Sequence, residues 1–558
     1  MFFRRKIGLN LLLIFIGLLW FGAVSLRALD RYVVEPGTIP DGNGGIYTGW
    51  DIAATQIQWA VNASTNAGDT VWVSNGTYVL TNQINVTSNI VLRSTNGPDV
   101  TIVNGGFVAG LTGATTNNRC LYMSNSSAFV SGFTFSNGAY VNPGGGGVWL
   151  ARGVLSNCTV CNNTFFPSSG SAEDGGGGIL MTHSSTIITA CRITGNMVTN
   201  PGTTLYGYGG GIYNKNGGTI VNCLISNNVI RGGNTSRSLG GGFFGAGTVQ
   251  SCLICNNSNQ FGCGGGSWSD NCQNYIGNTV SVNYAVIASG LYMQRSTLTN
   301  CVVSSNNGDG ISMDANTVSA VQNVLNTTVI GNTGIGIVMD NSQGTSKVSD
   351  CVIVDNISKG ITMLNPGSKS LLNGTVRNNK AGGIDCRDGA IRNCLIAGNT
   401  NSGTWGGVLI EANAGTALVS CCTVVSNQSA GAGSGLRIEA TRVNLLISFC
   451  VIYSNGVAGT NDVYDLWAPT NYNNIQYSCL GTNPGFTGAV VIVTDPKFKD
   501  FTRGNFRLAG NSPCVNRGSN ETWMTNACDL DKNQRIRYGV VDMGAYERIN
   551  EGTIYKVH

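Results

Sequence analysis

A short phrase recurs along most of this chain and limits what it can fold into. Asn157-Cys158-Thr159-Val160 … Asn163 returns as Asn222-Cys223-Leu224-Ile225 … Asn228, as Asn300-Cys301-Val302-Val303 … Asn306 and as Asn393-Cys394-Leu395-Ile396 … Asn399. Each copy sets down a small residue, an aliphatic two positions on, and an Asn three further on. The small slot holds Cys158, Cys191, Cys223, Cys252, Cys301, Cys351, Cys394, Cys422 and Cys450, and Asn278, Thr327 and Gly374 fill it in other copies. The matching Asn slots run from Asn137 to Asn455. Their spacing, roughly 26 residues, lies in the range of stacked repeat architectures.

A second phrase is interleaved with the first, a glycine run that opens a short strand. Examples are Gly147-Val148-Trp149-Leu150, Gly178-Ile179-Leu180-Met181, Gly211-Ile212-Tyr213-Asn214 and Gly407-Val408-Leu409-Ile410. Each period therefore holds at least two short strands with inward aliphatics at i and i+2, and a third strand fits in the connecting residues. One such unit cannot bury its apolar face alone. Stacked in register, the units predict an all-β solenoid with parallel sheets on its faces. With 79 Gly in 558 residues and many Asn, a helical repeat is excluded by propensity.

The charge balance is nearly neutral, with a formal net charge of +4 and only 11% charged residues. That gives no basic stripe of the kind that binds nucleic acid. Phe2 to Lys6 is a basic start and Leu11 to Val24 an apolar core, with small residues at Ala23, Ser25 and Ala28, so residues 1–28 read as an export signal. The competing reading is an uncleaved membrane anchor. Either way the protein is expected outside the cytoplasm, at the cell surface, in the periplasm or extracellular, and as a monomer.

The 19 cysteines fit export, but about half sit in one inward slot, where Cys serves as a small buried hydrophobe. Cys158-x-x-Cys161 and Cys252-x-x-Cys255 have redox or zinc spacing, yet on a strand i and i+3 point to opposite faces. Outside the ladder, Cys263/Cys272 and Cys514/Cys528 are the candidate disulfides.

At the N-terminal end, Asp51 to Ser64 reads as a short amphipathic helix with Asp51 as N-cap and Ala53, Ile57, Ala60 and Val61 on one face. A helix here would cover the open end of the solenoid. The run Ile57-Gln58-x-Ala60-Val61 … Gly68-Asp69-Thr70-Val71-x-Val73-x-x-Gly76-Thr77-Tyr78 resembles the opening of right-handed parallel β-helix proteins of the pectate-lyase-like superfamily, and the coils to about residue 480 resemble the same group, so the expected fold is an all-β, right-handed parallel β-helix. Towards the other end, Asp495-Pro496-Lys497-Phe498 … Ser512-Pro513-Cys514 … Asp529 … Arg535 … Asp542-Met543-Gly544-Ala545-Tyr546-Glu547 is similar to the choice-of-anchor Q domain. That resemblance implies an exported bacterial surface protein. The expected organisation is an export signal (1–28), a β-helix with its cap (29–480) and a module (481–558) that closes the C-terminal end.

Two outward columns carry the candidate chemistry. The one on the glycine-led strand contains Trp149, Tyr213, Phe244, Trp268 and Tyr292, an aromatic series suited to the flat faces of a polysaccharide. The spacing from Asn slot to next strand is long there and contracts to a tight turn after Asn306, so long loops either wall a groove or fold over the aromatics. The next column brings Asp314/Asp340 and Glu411/Glu439 onto neighbouring rungs, where paired carboxylates bind Ca2+ or act in sugar chemistry, or are simply solvated. His183 is the one further candidate, as a general base. The paired acids and histidine motifs of β-helix hydrolases, and the acid clusters with a basic residue of its lyases, are not found. The reading is a polysaccharide- or surface-binding adhesin without catalysis; the alternatives are a lyase or glycoside hydrolase in the same groove, and an inert rod.

Overall fold

The structure, a computed structural model, describes residues 27–549 apart from 39–44, 109–117, 142–143, 169–174, 201–204, 234–237, 273, 315–319, 341–342, 365–366, 412–415, 432, 440–444, 458–464, 468–473 and 483–489. Residues 1–26 of the expected export signal (1–28) lie outside the described residues. Among those described, no helix is long and apolar enough to cross a membrane.

Each period forms one coil of a parallel β-helix with three faces. In one coil, Val148–Leu150 lies on the first face, Val154–Ser156 on the second and Thr159–Cys161 on the third. The next coil repeats them as Ile179–Met181, Ile187–Thr189 and Arg192–Thr194, paired in register as Val148↔Ile179, Leu155↔Ile188 and Val160↔Ile193. The first face runs to 15 strands and the second to 17. The third is a ladder of the same kind, from Gly76–Val79 to Ile492–Val493. Alternate residues point inward, so Val148, Leu150, Leu155 and Val160 enter one continuous core that extends to Leu480. Each fully buried aliphatic contributes about 2 kcal/mol of transfer free energy.

The Asn-Cys phrase is a corner. Asn157, Asn222 and Asn300 take φ of 47°, 53° and 54°, the left-handed conformation that Asn tolerates best among residues with a Cβ. The Cys after each corner turns inward. It is more than the small hydrophobe expected. The Cys158 amide donates to Cys191 Sγ and the Cys223 amide to Cys252 Sγ, both at 3.4 Å. Where the slot changes, the partner changes with it: the Cys252 amide donates to Asn278 Oδ1 at 2.8 Å and the Cys301 amide to Thr327 Oγ1 at 3.3 Å. Cys, Asn and Thr here supply a compact side chain that accepts a hydrogen bond, and Gly374 has none to supply. Burial pushes the Cys351 thiol up to about 12, so it stays protonated and unreactive.

The second corner carries a buried asparagine ladder. Asn196 shows the unit: its amide and Nδ2 both donate to Asn228 Oδ1 at 3.0 Å, and Nδ2 also donates to the Val160 carbonyl at 2.9 Å. Its Oδ1 accepts from the amide and Nδ2 of Asn163. Every polar atom of the side chain is satisfied without water. The ladder begins at Asn163, not Asn137. Asn137 is the left-handed corner residue, with φ 53°, and Gly138 fills the slot. The glycine opening the first-face strand lies flush on this ladder: a Cβ at Gly147 would sit 2.6 Å from Asn163 Nδ2.

The N-terminal cap is shorter than expected. α1 (Ile57–Ala63) begins after Gln56, while Asp51 lies in a separate 3-10 turn, Trp50–Ile52, and caps nothing. Ile57, Ala60 and Val61 still bury against the first coils. The C-terminal region is not confined to the end of the solenoid. Ile492–Val493 adds a last third-face rung, but the hairpin Phe498–Asp500/Asn505–Leu508 folds back along that face, where Phe506, Ala545 and Tyr546 pack on Leu395, Ala397 and Val425. Lys532 reaches further, to an ion pair with Asp350.

Candidate functional site

The aromatic column stands on the first face in the predicted register: Trp149↔Leu180, Leu180↔Tyr213, Tyr213↔Phe244, Phe244↔Trp268 and Trp268↔Tyr292 are ladder partners. It does not form an open row of rings. The long loops run as a fourth sheet from Ala139–Val141 to Tyr284–Ile287 and return through Gly207–Tyr208 and Ser238–Leu239. The return brings Tyr208 onto Phe244 at 4.4 Å, stacked within 13°, and against Tyr213 at 5.3 Å. Tyr213 and Tyr292 keep 5% and 9% exposure, so the expectation that both are open to a ligand is corrected. Trp149, Phe244 and Trp268 remain half-buried at the margin of this small core.

Trp268 is half-buried on the rung before Tyr292. It stacks on Tyr292 at 4.1 Å, and the Tyr292 hydroxyl donates to Asp314 Oδ2 on the following rung. Burial, then the Asp314 carboxylate, raises the Tyr292 phenol well above its ordinary value. Asp314 and Asp340 follow the paired residues Met313↔Met339, so they occupy neighbouring rungs about 4.8 Å apart.

Beyond them the face becomes a series of ion pairs. Lys359, in the tight turn before Gly360, reaches Asp385 Oδ2 at 2.5 Å and lies 5.8 Å from the Trp405 ring centre. Asp385 is 1% exposed, and its Oδ1 has no hydrogen-bond partner. Burial, only partly offset by Lys359, raises its carboxyl above the usual carboxylate range. Arg387 pairs with Glu411 at 2.5 Å and Arg437 with Glu439 at 3.3 Å. Arg437 also stacks over Trp467, 4.1 Å from the ring centre. Glu411 and Glu439 do occupy neighbouring rungs, but each faces an arginine instead of forming a bare carboxylate pair. Among the described residues no group of three or more His, Cys, Asp or Glu could hold a metal ion.

His183 is not brought to these acids. It sits in the turn after Ile179–Met181, where Nδ1 accepts from the Ser185 amide at 3.1 Å. The strand that leads to Asp314 is five rungs away, about 24 Å. Cys263 and Cys272 lie in different clusters, the aromatic one and the main core, and no disulfide joins them in this structure. Lys359, Trp405, Trp467 and Tyr208 were not among the sequence candidates. The first two sit in turns whose approach to Asp385 depends on coil stacking. Tyr208 was signalled only by the apolar run Leu205-Tyr206 … Tyr208 inside a long loop.

A model of the right-handed β-helix region matches residues 289–452. No curated protein matches the chain. Among solved structures, the chain is similar to pectate lyase Pel9A at 14% identity, covering 94% of this chain and 98% of that one, with a TM-score of 0.23. It is similar to the A-module of the Azotobacter vinelandii mannuronan C-5 epimerase AlgE6 at 11% identity, covering 79% and 95%, with a TM-score of 0.27. It is also similar to the Dettilon tailspike protein at 13% identity, covering 83% and 69%, with a TM-score of 0.26.

Proposed function

We propose that this is an exported β-helix protein that binds a polysaccharide along its first face, between Trp268 and Trp467, without cleaving it. One observation carries the reading: Trp268, half-buried and stacked on Tyr292, begins a series of rungs, several of them charged, that ends on the Arg437–Trp467 stack. Aromatic faces take the apolar side of a pyranose, and the charged rungs offer donors and acceptors to its hydroxyls. The rungs recur at about 4.8 Å, which is comparable with the length of one sugar unit. Lys359, Arg387 and Arg437 already face carboxylates, so the strip fits neutral or amino-sugar chains better than polyuronates.

A lyase or hydrolase is the second reading, and the raised, buried carboxyl of Asp385 beside Lys359 favours it. A polysaccharide panel on the mature protein, with and without calcium, separates the two. Retention without product, lost in Trp268→Ala, supports binding. New unsaturated or reducing ends that disappear in Asp385→Asn establish the enzyme. Failure to retain any polymer leaves a structural rod.

A further inference from the structure

Cys479 and Cys514 meet across the joint between the solenoid and the C-terminal module. Cys479 pairs in register with Val451, an outward position of the third face, so its side chain leaves the solenoid axis and enters the module. The inward slot of that coil belongs to Ser478, whose Oγ accepts the Cys450 amide at 3.1 Å. Cys514 comes from the opposite side of the joint, held by the Met543 amide, which donates to the Cys514 carbonyl at 3.0 Å. Both thiols are fully buried and share one apolar cluster with Val451, Leu508 and Met543.

We propose that Cys479 and Cys514 form a native disulfide that fastens the C-terminal module to the last coil. Each thiol gives up its proton and one sulfur–sulfur bond forms. The electron pair passes to a disulfide-exchange oxidant such as oxidised glutathione, which leaves as two thiols. The pair is distinct from the ladder cysteines in the direction of its side chains. Ladder thiols on adjacent coils point inward in parallel and are engaged by corner amides and carbonyls, as Cys191 Sγ is by the Cys158 amide and the Leu155 carbonyl. Cys479 and Cys514 converge from two separate elements, the arrangement a disulfide requires. The structure also overturns the pairing of Cys514 with Cys528. The Cys528 carbonyl accepts from Asn393 Nδ2 at 2.8 Å, which places it three coils, about 14 Å, from the coil of Cys479.

The test is thiol mapping on the full chain. The folded protein is equilibrated with oxidised glutathione, denatured, alkylated and digested without reduction. The expected result is one peptide joining residues 479 and 514, with every ladder cysteine alkylated. Reduction should split that peptide, and Cys528→Ala should leave it in place. Cys514→Ala should return Cys479 to the alkylated set. Alkylation of both Cys479 and Cys514 in the oxidised wild-type chain overturns the proposal, as does a peptide joining Cys514 to Cys528 or to a ladder cysteine. Because the deciding result is read on wild-type protein, poor folding of a variant does not blunt it.

Discussion

Asn455 hands the asparagine ladder to Asp465: its backbone amide and Nδ2 both donate to Asp465 Oδ1, at 2.8 and 2.9 Å. The ladder runs in one direction, each side-chain oxygen taking two donors from the rung before, so its last member needs only to accept. A carboxylate meets that need but is fully buried, and burial pushes Asp465 up to about 6. The folded value lies above the unfolded one, so the stabilising contribution is present below about pH 4 and is lost as pH rises through 6. Asp465→Asn keeps the acceptor and removes the titration. Stability measured by denaturant between pH 4 and 7 should lose a slope worth up to about 3 kcal/mol in the variant. An unchanged slope would remove Asp465 from this role.

The cysteine slot makes a chemical prediction of its own. Cys252 Sγ accepts the Cys223 amide and donates to the Ile220 carbonyl. Cys252→Ser retains both bonds in a slot where Ser478 already occurs naturally, and it should cost little. Cys252→Ala leaves a buried amide without an acceptor and should cost about 2 kcal/mol. Urea unfolding of the two variants side by side distinguishes a hydrogen-bonding slot from one that merely fills space, for which alanine would be the milder change.

The period, the inward aliphatics and the substitution of Asn278, Thr327 and Gly374 for Cys were all legible, because each follows from local sequence repeated in register. The shortening of the loops after Asn306 was legible for the same reason. What those loops do was not. Tyr208 covers Tyr213 and Phe244 only once the chain has returned through a fourth sheet. Lys359 and Asp385 meet between successive coils, a distance no single period records. The lateral docking of the C-terminal module was not legible either: Val352-Ile353-Val354 is as apolar as Leu395-Ile396-Ala397, yet Val352 is exposed, and Thr423 is polar where the Ala545 amide docks on it.

Asp529, Arg535, Gly544 and Glu547 build the docking joint. Arg535, fully buried, pairs with Glu547 at 3.3 Å and donates to the Gly544 carbonyl at 3.0 Å. Asp529 Oδ2 accepts the Glu547 amide at 2.8 Å, while the Gly544 amide donates to the Phe449 carbonyl of the solenoid at 2.7 Å. Arg535→Met leaves buried carboxyl groups without their cation and should cost the joint about 3 kcal/mol. Under reducing conditions, limited proteolysis should then release the module while the solenoid survives. Burial pushes Glu547 up to about 8, above its unfolded value, so its contribution is lost as pH rises through 8. The wild-type module should therefore become protease-sensitive between pH 7 and 9, before the solenoid does.

Val282 occupies the second-corner position that Asn162, Asn227, Asn256 and Asn378 hold in other coils, and it shares their left-handed backbone, with φ 56°. A β-branched residue is poorly suited to that region, since its Cβ crowds the following carbonyl. Nothing in packing compensates, because the side chain is 55% exposed. Val282→Asn relieves the strain while surrendering little buried surface, and should raise stability by about 1 kcal/mol. Val282→Gly relieves the same strain but loosens the unfolded chain, so it should gain less. Hydrogen exchange at the flanking amides of Ser281 and Asn283 locates the effect. If both substitutions instead destabilise the coil, the valine is held there by a partner that covers it, and the corner is part of an interface.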